Sequence, residues 1–211
     1  MKETEIYTVV EAEMESNCYI IVSGQKAILI DPNDAKKADD LIQKNGWRPE
    51  YIFLTHEHFD HILGLEELRG KYQIPVWASA AASEGIQSYR ANMSNVHDIF
   101  LYYKKGAFPK ERHQKFECRP AEHTFSSEME LLWEGHRFFF RLLPGHSAGS
   151  TLIFMDEDRL FSGDYFLSDE TPVAKHSGGS KTTLQEEALP YLDTLPSGIH
   201  IYPGHGKDFI R

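Results

Sequence analysis

Tyr51-Ile52-Phe53-Leu54-Thr55 runs directly into His56-Glu57-His58-Phe59-Asp60-His61, and this join decides how the whole 211-residue chain is read. The first five residues form an apolar, β-favouring run with no alternation, the pattern of a strand covered on both faces. The next six place three imidazoles and two carboxylates in one polar loop at the strand's end. Loops held by a rigid sheet are where side chains from distant parts of a chain can converge.

Three further loops repeat the arrangement downstream. Pro144-Gly145-His146-Ser147-Ala148-Gly149-Ser150 follows a strand pattern over 138–143, Ser162-Gly163-Asp164 ends one over 160–162, and Pro203-Gly204-His205-Gly206 follows one over 199–202. Five of the 11 histidines therefore stand at strand ends. Imidazole and carboxylate are ligands for Zn²⁺, Fe or Mn, and the absence of cysteine from these loops counts against a structural zinc site. His56, His58, Asp60, His61, His146, Asp164 and His205 are too many donors for one tetrahedral ion. They suit two ions about 3.5–4 Å apart. The other histidines, His97, His113, His123, His136, His176 and His200, read as satisfied or solvated side chains.

The rest of the chain supplies a frame for these loops. Strand patterns cover 5–11, 17–23 and 26–30, ending at Asp31-Pro32. Helical spacing follows over 34–45 and 62–71, with a strand at 75–78 between the latter and a long helical stripe over 80–106. Residues 104–120 look irregular and carry an excess of Lys and Arg, which reads as a solvated face or an anion-binding lip. Strands return over 128–133, 138–143, 151–155 and 160–162, and a helix over 182–195 must end or kink at Pro190. Two β-rich halves with interspersed helices suit two packed sheets flanked by helices, in one domain over 1–211.

Composition removes several classes. With 22 Lys and Arg against 32 Asp and Glu, the formal charge is −10, which disfavours nucleic acid and anionic membrane surfaces. No apolar run approaches the roughly 18 residues of a membrane span. No secretory leader is recognisable at the N-terminus, so a cytoplasmic location is expected. Cys18 and Cys118 form no disulfide framework, and the sequence leaves the oligomeric state open.

His56-x-His58-x-Asp60-His61, with His146, Asp164 and His205 in that order, resembles the metallo-β-lactamase-fold hydrolase superfamily, and most closely its glyoxalase II-like branch. The resemblance runs from Asn17-Cys18-Tyr19 through Leu29-Ile30-Asp31-Pro32 to Pro203-Gly204-His205-Gly206. It implies an α+β fold, a four-layer αβ/βα sandwich with the active site at the edge between two mixed sheets. His56, His58 and His146 would hold one divalent ion and Asp60, His61 and His205 the other, Zn²⁺ ahead of Fe or Mn. Asp164 would bridge them, and Asp31 would support the ligand loop from behind.

An aspartate at position 164 departs from true β-lactamases of this fold. It points away from antibiotic hydrolysis and toward thioester, lactone or phosphodiester hydrolysis. The expected reaction is cleavage of a thioester or similarly activated acyl compound by a metal-bridging hydroxide that Asp60 orients. The expected partner is a small acyl substrate, neutral or anionic, with Tyr165 and Lys175 as candidate contacts. The C-terminal helical glutathione-binding domain of glyoxalase II is not expected here, and the usual Gly-Arg signature after the aspartate loop is missing. The leading alternative is a mononuclear iron persulfide dioxygenase of the same fold, with a lactonase or phosphodiesterase behind it.

Overall fold

The computed structural model describes residues 4–166 and 177–211. Its strands form two six-stranded mixed sheets, and in each the strands lie side by side in chain order. The first comprises β1 (Thr4–Val10), β2 (Asn17–Ser23), β3 (Lys26–Ile30), β4 (Arg48–Phe53), β5 (Val76–Ser79) and β6 (His123–Phe125). The second comprises β7 (Glu128–Trp133), β8 (His136–Leu142), β9 (Thr151–Met155), β10 (Arg159–Gly163), β11 (His200–Pro203) and β12 (Phe209–Ile210).

Side-chain alternation explains the layers. In β2 and β3, Tyr19, Ile21, Ile28 and Ile30 join Phe53 in a core shared with Phe138, Phe140, Ile153, Met155 and Phe161 of the other sheet. Their neighbours Ile20, Val22, Ala27 and Leu29 face the opposite way, into a core with Ala38, Ile42, Leu65 and Leu68 from the helices. Leu152, Leu160 and Ile201 form a third core with Leu184, Ala188 and Leu192. A strand two-sided in this manner must be apolar on both faces, as β2 is from Cys18 to Val22. The result is the αβ/βα sandwich. Between the sheets, Phe53 meets Phe138 and Phe140 edge-on at centroid distances of 5.4 and 4.9 Å, a geometry worth about 0.5–1.5 kcal/mol beyond the area buried.

The first helix, α1 (Ala35–Asn45), is capped by the Asp34 side chain on Lys37 N–H and stopped by Gly46 at φ 66°. The helix expected over 62–71 is two, α2 (Phe59–Ile62) and α3 (Leu65–Tyr72). They part at Gly64, whose N–H donates to the Pro32 carbonyl at 2.8 Å and where a Cβ would stand 2.7 Å from Ala35 N.

The stripe over 80–106 also breaks. It gives α4 (Ala80–Gly85), a 3₁₀ turn at Ser94–Val96 and α5 (His97–Lys105). Met93 takes φ 66°, and the Asn92 side chain bonds the Phe116 carbonyl and Ser94 N–H. These bonds are local alternatives to helical ones, which a three- and four-residue apolar spacing does not register.

Pro190 is accommodated otherwise than by ending the helix. Residues 181–193 continue through α6 (Lys181–Thr183), a π turn at Leu184–Ala188 and α7 (Leu189–Asp193), the wide turn lying just before the proline. The predicted strand over 51–55 starts earlier and ends at Phe53, so Thr55 lies off it. Strands β6 and β12, of three and two residues, are too short to leave a period in the sequence. Lys104, Arg112 and Arg119 of the basic stretch pair with Glu15, Asp98 and Glu66, so these cations do not form a free lip. Among the described residues no helix is long and apolar enough to cross a membrane.

Candidate metal centre

The four histidine and aspartate loops leave the C-terminal ends of β4, β8, β10 and β11. Backbone bonds stitch them together. Thr151 N–H donates to the Thr55 carbonyl at 2.8 Å, Gly204 N–H to Gly163 at 2.8 Å, and Asn17 N–H to Gly204 at 2.7 Å.

All seven residues expected as ligands come together. Donor atoms of His56, His58 and His146 lie within 4.8 Å of one another, as do those of Asp60, His61 and His205. Asp164 stands between the two groups. Its Oδ2 is 3.4 Å from His146 Nε2 and 4.0 Å from His56 Nε2, while Oδ1 is 3.3 Å from His61 Nε2 and 3.7 Å from His205 Nε2. Asp60 Oδ2 lies 3.2 Å from His205 Nε2 and 3.7 Å from His61 Nε2.

Asp31 decides which ring nitrogens face inward. The Thr55 hydroxyl donates to Asp31 and therefore accepts from His56 Nδ1–H, 3.0 Å away. His61 Nδ1–H lies 3.1 Å from the same Asp31 oxygen. Both rings then present Nε2 to the interior of the site. His58 reaches the Ser177 carbonyl with Nε2 at 3.4 Å and faces His146 Nε2 with Nδ1 at 3.0 Å.

Electrostatics divide the site. Burial, reinforced by the His61 and His58 charges, holds His56 well below its ordinary value, and burial with His146 lowers His58 to about 3. For His61 and His205 burial acts in the same sense, yet the charges of Asp60 and Asp164 outweigh it and raise both. Burial would raise Asp60 and Asp164, but His61 and His205 hold both below the usual carboxylate range. One half thus offers neutral imidazole lone pairs and the other ionised carboxylates.

The donor set fits divalent cations on a further observation. His56 Nε2, His61 Nε2 and Asp164 Oδ1 are buried without a hydrogen-bond partner among the described residues. Orphaned polar atoms are costly to bury, and three converging on one space call for an ion between them.

Other expectations change. Tyr165 is buried, with its hydroxyl donating to the Leu143 carbonyl and lying 3.4 Å from His146 N; burial pushes it up to about 12. That hydroxyl holds the His146 loop, where the sequence suggested a substrate contact. Lys175, the other suggested contact, lies outside the described residues.

Several supports escaped the sequence reading. Asn17 Nδ2 donates to the Pro203 and Gly206 carbonyls at 2.9 and 2.8 Å, and Tyr19 Oη to Pro203 at 2.6 Å. Glu57, 2% exposed, accepts the Ser147 hydroxyl at 2.8 Å and ties the first loop to the second. A polar residue opening a two-sided apolar strand, as Asn17 does, was the available signal, because a buried amide needs partners.

Comparison with known proteins agrees with this geometry. The family model described as the Metallo-beta-lactamase superfamily matches residues 13–205. Probable metallo-hydrolase YqgX of Bacillus subtilis (strain 168) is 28% identical over 197 residues, covering 92% of this chain and 87% of its own. Among solved structures, BLEG-1, a B3 metallo-beta-lactamase, superposes with a TM-score of 0.78 at 24% identity, covering 98% of this chain and 94% of that one. TTHA1623, solved in a di-iron-bound form, gives 0.71 at 26% identity, covering 97% and 94%.

Proposed function

The chain belongs to the metallo-beta-lactamase superfamily, and within it we propose a binuclear metal-dependent hydrolase that cleaves a thioester or similarly activated acyl substrate. Asp164 carries this reading. One of its oxygens faces His56 and His146, and the other faces His61 and His205. A carboxylate so divided between two donor groups would suit a bridging role. His56, His58 and His146 would hold one divalent ion and Asp60, His61 and His205 the other, with Zn²⁺ proposed ahead of Fe or Mn.

Bound there, the ions would supply Lewis acidity and a water acidic enough to react near neutral pH. The chain's own groups do the rest. Asp60, held ionised by His61 and His205 against its burial, would accept a proton at Oδ2. Asp31 and Thr55 keep the His56 and His61 rings turned with Nε2 inward. Glu57 and Tyr165, protic groups beside the loops, are engaged with Ser147 and Leu143. A thiolate leaving group, of ordinary pKa about 8.5, needs no protonation to depart. An amine does, which favours thioesters over amides as the substrate class.

Metal analysis together with a substrate panel tests the reading. Protein purified without added metal is assayed on acyl-glutathione and acyl-coenzyme A thioesters, lactones and phosphodiesters. About two ions bound between the seven residues and turnover of a thioester support it. One iron there, with oxygen uptake on a persulfide, would replace it with the dioxygenase reading.

A further inference from the structure

A second cluster of donors stands apart from these seven residues. Glu13 lies in the turn between β1 and β2, His97 opens α5, and His113 lies in the irregular stretch beyond it. Their ligand atoms fall within 4.8 Å of one another. His113 Nε2 is 3.0 Å and His97 Nε2 3.9 Å from Glu13 Oε2. From the sequence both histidines read as ordinary satisfied or solvated side chains, but His97 is neither. It is 3% exposed, and its Nε2 is buried with no hydrogen-bond partner among the described residues.

The surroundings fix these donors in place. Asp98 Oδ1 lies 2.8 Å from His113 Nδ1, so that nitrogen carries the proton and Nε2 turns a lone pair toward Glu13. A lone pair 3.0 Å from a carboxylate oxygen is unfavourable unless a proton or a cation lies between them. A proton on His113 would satisfy that pair and leave His97 Nε2 orphaned. A cation satisfies all three donors at once. The His97 ring stacks on His113 at 3.9 Å and packs on Phe59 at 4.5 Å. The turn is held too, since the Glu11 carboxylate accepts the N–H groups of Glu13 and Met14, and Lys104 of α5 pairs with Glu15 at 2.8 Å.

The geometry points to a metal site separate from the main centre, built from His97 Nε2, His113 Nε2 and Glu13 Oε2, for a divalent transition metal of the Zn²⁺ type. Two imidazoles and one carboxylate suit Zn²⁺, leaving a fourth position for water, and Asp98 acts as the carboxylate that orients a ligating histidine. Calcium and magnesium prefer oxygen and are disfavoured by this donor set. The site would tie three segments together: the β1–β2 turn, α5 and the stretch around 113. That turn runs on to Ser16, whose hydroxyl donates to the Asp60 carbonyl at 2.7 Å and which pairs with His205. An ion here therefore stiffens one wall of the main centre without entering it. The inference does not depend on the main centre's metal count or reaction.

Zn²⁺ titration of the chelator-stripped full chain, in competition with a chromophoric chelator, tests it on wild type, H113A and E13Q. Both substituted residues are partly exposed, so both variants are expected to fold, which circular dichroism checks. The expected result is one Zn²⁺ equivalent fewer in each variant than in wild type, whatever the wild-type total. A smaller rise of Tm on adding Zn²⁺ should accompany it. Equal stoichiometry in wild type and H113A overturns the site, including the case where H113A only lowers the Tm of the metal-free protein, which marks an ion pair.

Discussion

The Asp31 carboxylate accepts both the backbone N–H of Thr55, at 2.7 Å, and its hydroxyl, at 2.5 Å. Through Thr55 it sets the His56 tautomer, and directly it sets that of His61. Asp31 also takes φ 51°, a left-handed conformation that asparagine tolerates better than alanine. Asp31→Asn should therefore keep the fold and lower metal affinity about 10- to 100-fold. Asp31→Ala should in addition lose about 1–3 kcal/mol by stranding the buried Thr55 N–H. Chelator competition and urea unfolding measure the two effects separately. Unchanged metal affinity in Asp31→Asn would show that the ring orientations are set by packing alone.

Gly204 and Gly70 should respond oppositely to alanine. A Cβ at Gly204 would stand 2.1 Å from Asp164 Oδ1 and 3.0 Å from the Gly163 backbone. Gly204→Ala must push the aspartate out of its place between the histidine groups, and is expected to cut metal uptake. At Gly70, inside α3, a Cβ meets nothing within 4 Å. There alanine should stabilise by about 0.5–1 kcal/mol through lower unfolded-state entropy. Metal analysis and thermal unfolding of the pair read both outcomes, and normal metal content in Gly204→Ala would contradict the tight packing.

What the sequence made legible was whatever a local pattern encodes. The unbroken apolar run ending at Leu54 marked a strand covered on both sides, and the histidine loops at strand ends marked where chemistry gathers. The breaks at Gly64 and Met93 were not legible, because they depend on contacts with Pro32 and Phe116 that only the fold creates. The same holds for Tyr165, which next to Asp164 invited a substrate role but whose hydroxyl is drawn back to Leu143. The meeting of His97 and His113 with Glu13 is not legible for a related reason. Neither belongs to a spaced motif, and Glu13 reaches them from the far end of the chain.

Chelation should destabilise the folded chain if the orphaned donors of the main centre are metal sites. A ligand held at about 100 times its Kd contributes roughly 2.7 kcal/mol. For a chain of this length that is roughly 5–11 °C in Tm. Stripping metal with a chelator should lower Tm by about that amount, and returning Zn²⁺ should restore it. A Tm indifferent to chelator would mean that His56 Nε2, His61 Nε2 and Asp164 Oδ1 tolerate burial unpaired.

Glu122 should show itself in the acid limb of stability. It accepts from Arg69 Nε at 3.1 Å and from Val76 N–H at 2.8 Å, joining α3 to the start of β5, and Arg69 is 5% exposed. Burial works against its ionisation, but Arg69 and the Val76 N–H outweigh it and lower its pKa. A folded pKa below the unfolded value of about 4.3 means the unfolded chain takes up the proton first as pH falls. The contribution is therefore complete above about pH 4.3 and is lost as pH drops through the folded pKa. Glu122→Gln, which cannot ionise, should lose up to about 1 kcal/mol at neutral pH, because the carboxylate is 42% exposed and screened by solvent. Its Tm should lie below wild type at pH 6–7, and the gap should narrow as pH falls below about 4.3. Thermal unfolding of both proteins from pH 7 to pH 3 measures this gap, and parallel curves would show that the carboxylate's charge is not what joins α3 to β5.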